Sequence, residues 1–324
     1  MKALTVHHLS PDLSGVSLID APMPVRQPGQ VLVRVRATSL NFPDLLMTRG
    51  EYQFKPQPPF VLGLELAGEV VEADADSPLP IGTRVMGGGK GGCMADFAAL
   101  DPSALRPIPD SLSFHHAAAL GAAYGTAYTA LVEIGGLKTG DWVLVHGATG
   151  GVGLAAADLA KSLGARVIAT TGSPAKLEAL KAACDPDAAI LASGRFREAV
   201  AEITGGHLCD LVYDPVGGDV FDESTRCVAF GGKLLVIGFA GGRIADISTN
   251  IPLIKGFSVV GVRAGEYARR FPERGTAVRQ AMLALAAEGK LHPHIDRVLP
   301  IERWREAFDA MAARGIVGKV VLEL

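Results

Sequence analysis

Cysteine is scarce in this chain of 324 residues, with four in all, and aromatic residues make up only 6%. The cysteines, Cys93, Cys184, Cys209 and Cys227, never stand as a C-x-x-C pair, which argues against a zinc ribbon or a redox dithiol. They read as reduced, mostly buried thiols. No block of like charge occurs, and Lys plus Arg number 31 against 34 Asp plus Glu for a net charge of −3, so nucleic acid is not an expected partner. No uninterrupted apolar segment reaches the length needed to cross a bilayer, and the start MKALTVHHLS carries no long apolar run, so no membrane partner is expected and the expected address is cytoplasmic. Internal repeats and low-complexity tracts are also missing.

What is present is a hydrophobic content of 48% in a chain longer than one core usually serves, which predicts two domains. The first hundred residues hold short alternating runs such as VLVRVRA, where Val31, Val33 and Val35 share one face, interrupted by Pro56, Pro58, Pro59 and GGGKGG. That pattern predicts half-buried antiparallel strands. From about Ala117 helical segments alternate with apolar runs: WVLVH, ARVIAT, AAILA, DLVYD, KLLVIG and FSVVGV are six strand candidates. VGLAAADLAKSL, PAKLEALKAA, RFREAVAEIT and GDVFDESTRCVAF are the helical segments between them. The alternation predicts a doubly wound parallel sheet, hence an α/β fold. After Gly265 come two further helices and the terminal strand GKVVLEL, a tail expected to rejoin the first domain.

Residues 146–153, HGATGGVG, follow the first of these strands and open a helix. Without Cβ atoms at Gly150 and Gly151, a pyrophosphate can lie against main-chain N–H groups at the positive helix end, while Gly153 allows close helix–strand packing. The first position of a strict G-x-G-x-x-G is Ala148, so the same residues also read as a tight connection with no ligand. About twenty residues on, ATTGSPAKLE offers no acid to a ribose hydroxyl. The Ser173 hydroxyl and Lys176 suit a 2′-phosphate, which favours NADPH over NADH; Ser173 is also read as a helix cap, and Lys176 alternatively as a solvated charge.

Together NFPDLLMTRGEYQFKP, PFVLGLELAGEVVE, YGTAYTAL, GATGGVG, DLVYDPVGG and GKVVL span nearly the whole chain. They resemble the medium-chain dehydrogenase/reductase superfamily, in its zinc-independent quinone oxidoreductase branch. The resemblance implies a GroES-like β-rich catalytic domain over 1–122, completed by 266–324, and a Rossmann domain over 123–265. It implies reduction of quinones or α,β-unsaturated carbonyls with NADPH, often by homodimers. It places Thr126 at the nicotinamide, Gly150, Gly151 and Val152 at the pyrophosphate, and Ser173 with Lys176 at the adenosine phosphate. Val216, Phe239, Val262 and Gly265 would wall the cofactor and Lys319 would reach a phosphate. Zinc-dependent relatives carry Cys where this chain has Asn41 and His where it has Leu64, together with a four-cysteine lobe that has no counterpart here, so no metal site is expected. Some quinone reductases carry a tyrosine where this chain has Leu46, and another tyrosine beside the adenosine phosphate has no match in AAILASG.

Hydride transfer to a conjugated carbonyl needs a donor near the oxygen where negative charge develops. Tyr52 is the candidate proton donor, with Asn41 offering an amide and Asp44 orienting one or both. The same Asn41 and Asp44 read as an N-cap and a first-turn acid, with Gly50 as the stop. His115, His116 and His146 lack companion ligands and read as cap, turn or packing residues. An enoyl thioester reductase and a non-catalytic NADPH-binding structural or regulatory protein remain as alternatives. A homodimer is expected from FSVVGV, an apolar strand placed at a sheet edge.

Overall fold

The computed structural model describes residues 1–324. The chain forms two compact units, Met1–Ala122 with Ile295–Leu324, and Ala123–His294. The tail therefore rejoins the first unit at Ile295 rather than at 266. The intervening helices, Ala264–Arg270 and Pro272–Ala287, belong to the second unit. The Tyr267 hydroxyl, on the first of these helices, donates to Glu133 at 3.0 Å, and Asp158 holds the segment after the second by accepting from the His292 N–H at 2.9 Å.

In the first unit, Val31–Ser39 lies between Glu65–Glu72 and Lys319–Glu323, antiparallel to both. Val31, Val33 and Val35 are buried as the alternation predicts, and they share a core with Leu66, Val70 and Val85. A second core joins Leu4, Leu45, Met47, Phe308 and Leu322. The chain segment after Ser39 thus enters helix Phe42–Arg49 from a strand fixed on both sides.

The second unit carries six parallel strands: β1 (Trp142–Val145), β2 (Arg166–Thr171), β3 (Ala188–Leu191), β4 (Cys209–Asp214), β5 (Val228–Val236) and β6 (Ser258–Gly261). Their spatial order is β3-β2-β1-β4-β5-β6, so the winding reverses between β1 and β4, where such sheets open a crevice. Every apolar run read as a strand forms one. The segment GDVFDESTRCVAF behaves otherwise, because its helix ends at Ser224 and Val228 already begins β5. The Cys227 carbonyl accepts from the Cys209 N–H at 2.8 Å, which draws the chain into ladder pairing before helical spacing can continue. Trp142, Leu144, Ile168, Val212 and Phe221 form the core of this unit. No helix of the chain is long and apolar enough to cross a membrane.

Candidate active site

The turn after β1 is fixed to both neighbouring strands. His146 N–H donates to the Tyr213 carbonyl at 3.0 Å, and Ala148 N–H donates to the Thr170 carbonyl at 2.9 Å. Gly147 takes a left-handed φ of 54°. Gly150 is extended, and helix Gly151–Ser162 follows it directly. The glycines divide their tasks. A Cβ on Gly153 would meet the Gly147 carbonyl oxygen at 2.3 Å, so only glycine lets helix and turn approach this closely. A Cβ on Gly150 would meet only that same oxygen, at 3.3 Å. The turn is thus open on the side of Gly150, where the first helical N–H groups lack intrahelical acceptors, a cradle that fits a pyrophosphate.

The neighbouring strand ends complete this surface. Asp214 Oδ1 accepts from the N–H groups of Val216 at 2.8 Å and Gly217 at 2.9 Å, which folds the segment after β4 back on itself. Burial raises the Asp214 carboxyl above its ordinary range. Val216 Cγ2 lies 3.2 Å from where a Cβ of Gly147 would stand, and Phe239 Cδ1 lies 3.1 Å from the corresponding point at Gly217. The structure thus places Val216 beside the glycine turn and Phe239 beside Gly217. Val262 N–H pairs with the Val236 carbonyl at 2.9 Å at the end of β6, and Gly265 lies just beyond in helix Ala264–Arg270. Thr126 is half-buried on helix Phe114–Tyr128.

Ser173 follows β2 and precedes the short turn Pro174–Lys176, and its side chain makes no capping hydrogen bond. The expected capping role is therefore not seen. His146 is fully buried, with Nδ1 2.9 Å from Thr170 Oγ1 and Nε2 2.7 Å from Ser224 Oγ. Burial pushes its pKa down to about 3, so it is a neutral packing residue.

The first unit holds a buried polar cluster. Lys319 Nζ donates to the Leu40 carbonyl at 2.8 Å, Asn41 Oδ1 at 2.7 Å and Glu65 Oε1 at 3.0 Å. Asn41 Nδ2 donates to Glu65 Oε1 at 2.9 Å and to the Ser39 carbonyl at 3.3 Å. Ser39 Oγ donates to Glu65 Oε1 at 2.6 Å, and Ala122 N–H donates to Glu65 Oε2 at 2.7 Å. Two expectations change here. The resemblance gives Lys319 to a cofactor phosphate, but all three ammonium protons have acceptors inside the first unit and the side chain is only 7% exposed. Asn41, expected to offer its amide to a substrate, already has both amide protons committed.

Asp44 is fully buried at the start of helix Phe42–Arg49, where Oδ2 accepts from the Asn41 N–H at 2.8 Å. Its Oδ1 has no partner. Burial pushes the carboxyl up to about 7, with the Glu65 charge adding and the Asn41 N–H and Lys319 opposing. Asp44 thus orders the helix start, as its capping reading requires. Tyr52 differs from both, being half-buried against the core with a hydroxyl that makes no hydrogen bond to the protein. Glu65 escaped sequence reasoning. The one signal was a lone carboxylate inside the otherwise apolar FVLGLELAG.

Comparisons with known proteins agree with this architecture. Residues 27–110 match the alcohol dehydrogenase GroES-like domain, and residues 151–291 match the zinc-binding dehydrogenase domain. Quinone oxidoreductase-like protein 2 of Bos taurus is 38% identical over 306 residues, covering 94% of this chain and 87% of that protein. The chain belongs to the quinone oxidoreductase branch of the medium-chain dehydrogenase/reductase superfamily. Within that superfamily, the structure of a probable oxidoreductase from Mycobacterium abscessus has a TM-score of 0.92 at 36% identity, covering 100% of this chain and 99% of that one. Escherichia coli quinone oxidoreductase complexed with NADPH gives 0.89 at 26% identity, covering 100% of both chains. A further relative is the Spectinabilin polyketide synthase system protein NorB of Streptomyces orinoci, 37% identical over 92% of this chain but only 13% of that protein. The chain is thus an oxidoreductase of this family with a GroES-like domain and a parallel sheet.

Proposed function

We propose that this oxidoreductase uses NADPH to reduce quinones or α,β-unsaturated carbonyl compounds, without a metal ion. The observation that carries the reading is the glycine turn at the β1/β4 reversal, open beside Gly150 and followed at the end of β2 by Ser173 and Lys176 instead of an acid. In this reading the N–H groups at Gly151 and Val152, beside the open face of Gly150, hold the pyrophosphate, since the Gly150 N–H already donates to the Gly147 carbonyl at 2.8 Å; Ser173 with Lys176 holds the 2′-phosphate. Val216, Phe239, Val262 and Gly265 bound the cofactor, and Thr126 faces the nicotinamide. The cofactor supplies a hydride to the electrophilic carbon.

The protein's task is then to stabilise the oxygen that gains negative charge. Tyr52, whose hydroxyl has no protein partner, donates the proton. Asn41 and Asp44 act through position, since their polar atoms serve the cluster and the helix start. In this reading hydrogen bonding alone supports the oxyanion. The likeness to a polyketide synthase protein favours a second acceptor class, because acyl chains carried as thioesters can be conjugated enoyl groups. Homodimer formation belongs to the same reading: β6 is the last strand of its sheet, and Val259 is 36% exposed along it.

Oxidation of NADPH and NADH, measured side by side against quinones, enones and enoyl thioesters, tests the proposal. Faster turnover with NADPH and a quinone or enone is expected. Cofactor binding with no turnover on any acceptor would favour a regulatory protein instead.

A further inference from the structure

We propose that the buried Glu65–Lys319 pair is a positioning device that, within the first unit, fixes the proton donor's segment and the Gly121–Ala122 turn of helix Phe114–Tyr128 relative to one carboxylate. The inference rests on the reductase reading above. Glu65 Oε1 accepts from Ser39, Asn41 and Lys319, and Oε2 accepts from the Ala122 N–H. Lys319 binds the Leu40 carbonyl and Asn41 Oδ1 with its other protons. The pair thereby clamps the chain just before helix Phe42–Arg49, which ends at Gly50, two residues before Tyr52. The second carboxylate oxygen reaches the middle of helix Phe114–Tyr128. A Cβ on Gly121 would lie 3.2 Å from that oxygen, so the small residue there gives the carboxylate access to helix backbone. Thr126 stands one turn beyond Ala122 on the same helix.

Stability alone does not account for such a pair. Replacing a buried ion pair by apolar groups is often neutral or stabilising, because two charges must be desolvated to form it. What these groups supply is geometry: one carboxylate is bound by four donors from four chain positions of the first unit. Reduction by direct hydride transfer depends steeply on such placement.

The test uses the double variant Glu65→Gln/Lys319→Met, since Glu65→Gln alone leaves an ammonium buried without its counter-charge and so endangers the fold. Thermal melting, NADPH affinity by calorimetry, kcat, and the isotope effect with NADPH deuterated at the transferred position are measured together. The expected result is a melting temperature and NADPH Kd close to wild type, a kcat lower by roughly a hundredfold, and a larger isotope effect. Wild-type kcat in the double variant would overturn the positioning role while leaving the reductase reading intact. A loss confined to NADPH affinity would overturn it too. Absence of turnover in the wild type removes the reductase reading, and the positioning role falls with it. Should the double variant not fold, Ser39→Ala decides: it deletes one donor to Glu65 Oε1, and unchanged kcat overturns the proposal whereas a several-fold fall at unchanged Kd supports it.

Discussion

Asp44 makes the stability of this protein depend on pH in a direction opposite to that of most carboxylates. Its carboxyl is fully buried, one oxygen has no partner, and its pKa is raised from 3.8 to about 7. A raised pKa means that the folded state binds this proton more tightly than the unfolded chain does. The contribution is therefore complete below pH 3.8 and is lost as pH rises through about 7. At about 1.36 kcal/mol per tenfold change in proton affinity, the full loss by pH 8 is on the order of 4 kcal/mol. Between pH 5 and pH 8 the part lost is about 2.5 kcal/mol.

Asp44→Asn abolishes the titration and keeps an oxygen for the Asn41 N–H. Its amide nitrogen faces the partnerless side, at a constant cost of about 1–3 kcal/mol. Urea unfolding of both proteins at pH 5, 6, 7 and 8 gives the difference curve. The variant is expected to gain on the wild type by about 2.5 kcal/mol across this range. A difference that stays constant from pH 5 to pH 8 would refute the argument.

Other outcomes follow from the same geometry. His146 titrates the other way: its pKa is pushed down to about 3, so its stabilisation holds above pH 6.5 and fades as pH falls toward 3, which His146→Phe should flatten in acid unfolding curves. Gly153→Ala places a Cβ 2.3 Å from the Gly147 carbonyl oxygen, and should cost about 1–3 kcal/mol in stability and weaken NADPH binding measured by calorimetry. Tyr52→Phe should lower kcat about a hundredfold at unchanged NADPH Kd; wild-type turnover would remove Tyr52 from the mechanism. Val259→Lys puts a charge on the β6 edge and should convert a dimer to a monomer in light scattering.

The second unit was the more legible part of the chain, because each of its strands is a contiguous apolar run and its glycine turn lies between a strand and a helix. Periodicity is a local property, and these elements are locally determined. VAF at 228–230 was misread as helix because its strand character comes from pairing with β4, which no window contains. The buried cluster stayed hidden for the same reason. Glu65 and Lys319 stand 254 positions apart, and nothing in the spacing of either tells that an ammonium meets a carboxylate. Asn41 and Asp44 were readable as a helix start, whereas the commitment of the Asn41 amide to Lys319 was not. The resemblance that gives Lys319 to a phosphate supplies residue positions but not side-chain partners.

The pairing of Lys319–Glu323 with Val31–Ser39 orders events during synthesis. The second unit is one continuous stretch and can form as soon as it leaves the ribosome. The first unit has to wait, its sheet missing the two strands Ile295–Pro300 and Lys319–Glu323, and the carboxylate of Glu65 missing its counter-charge, until the segment beyond His294 has emerged. A chain cut short after residue 294 would therefore be a finished half joined to an unfinished one, with the edge at Ala37–Ser39 left for chaperones to cover.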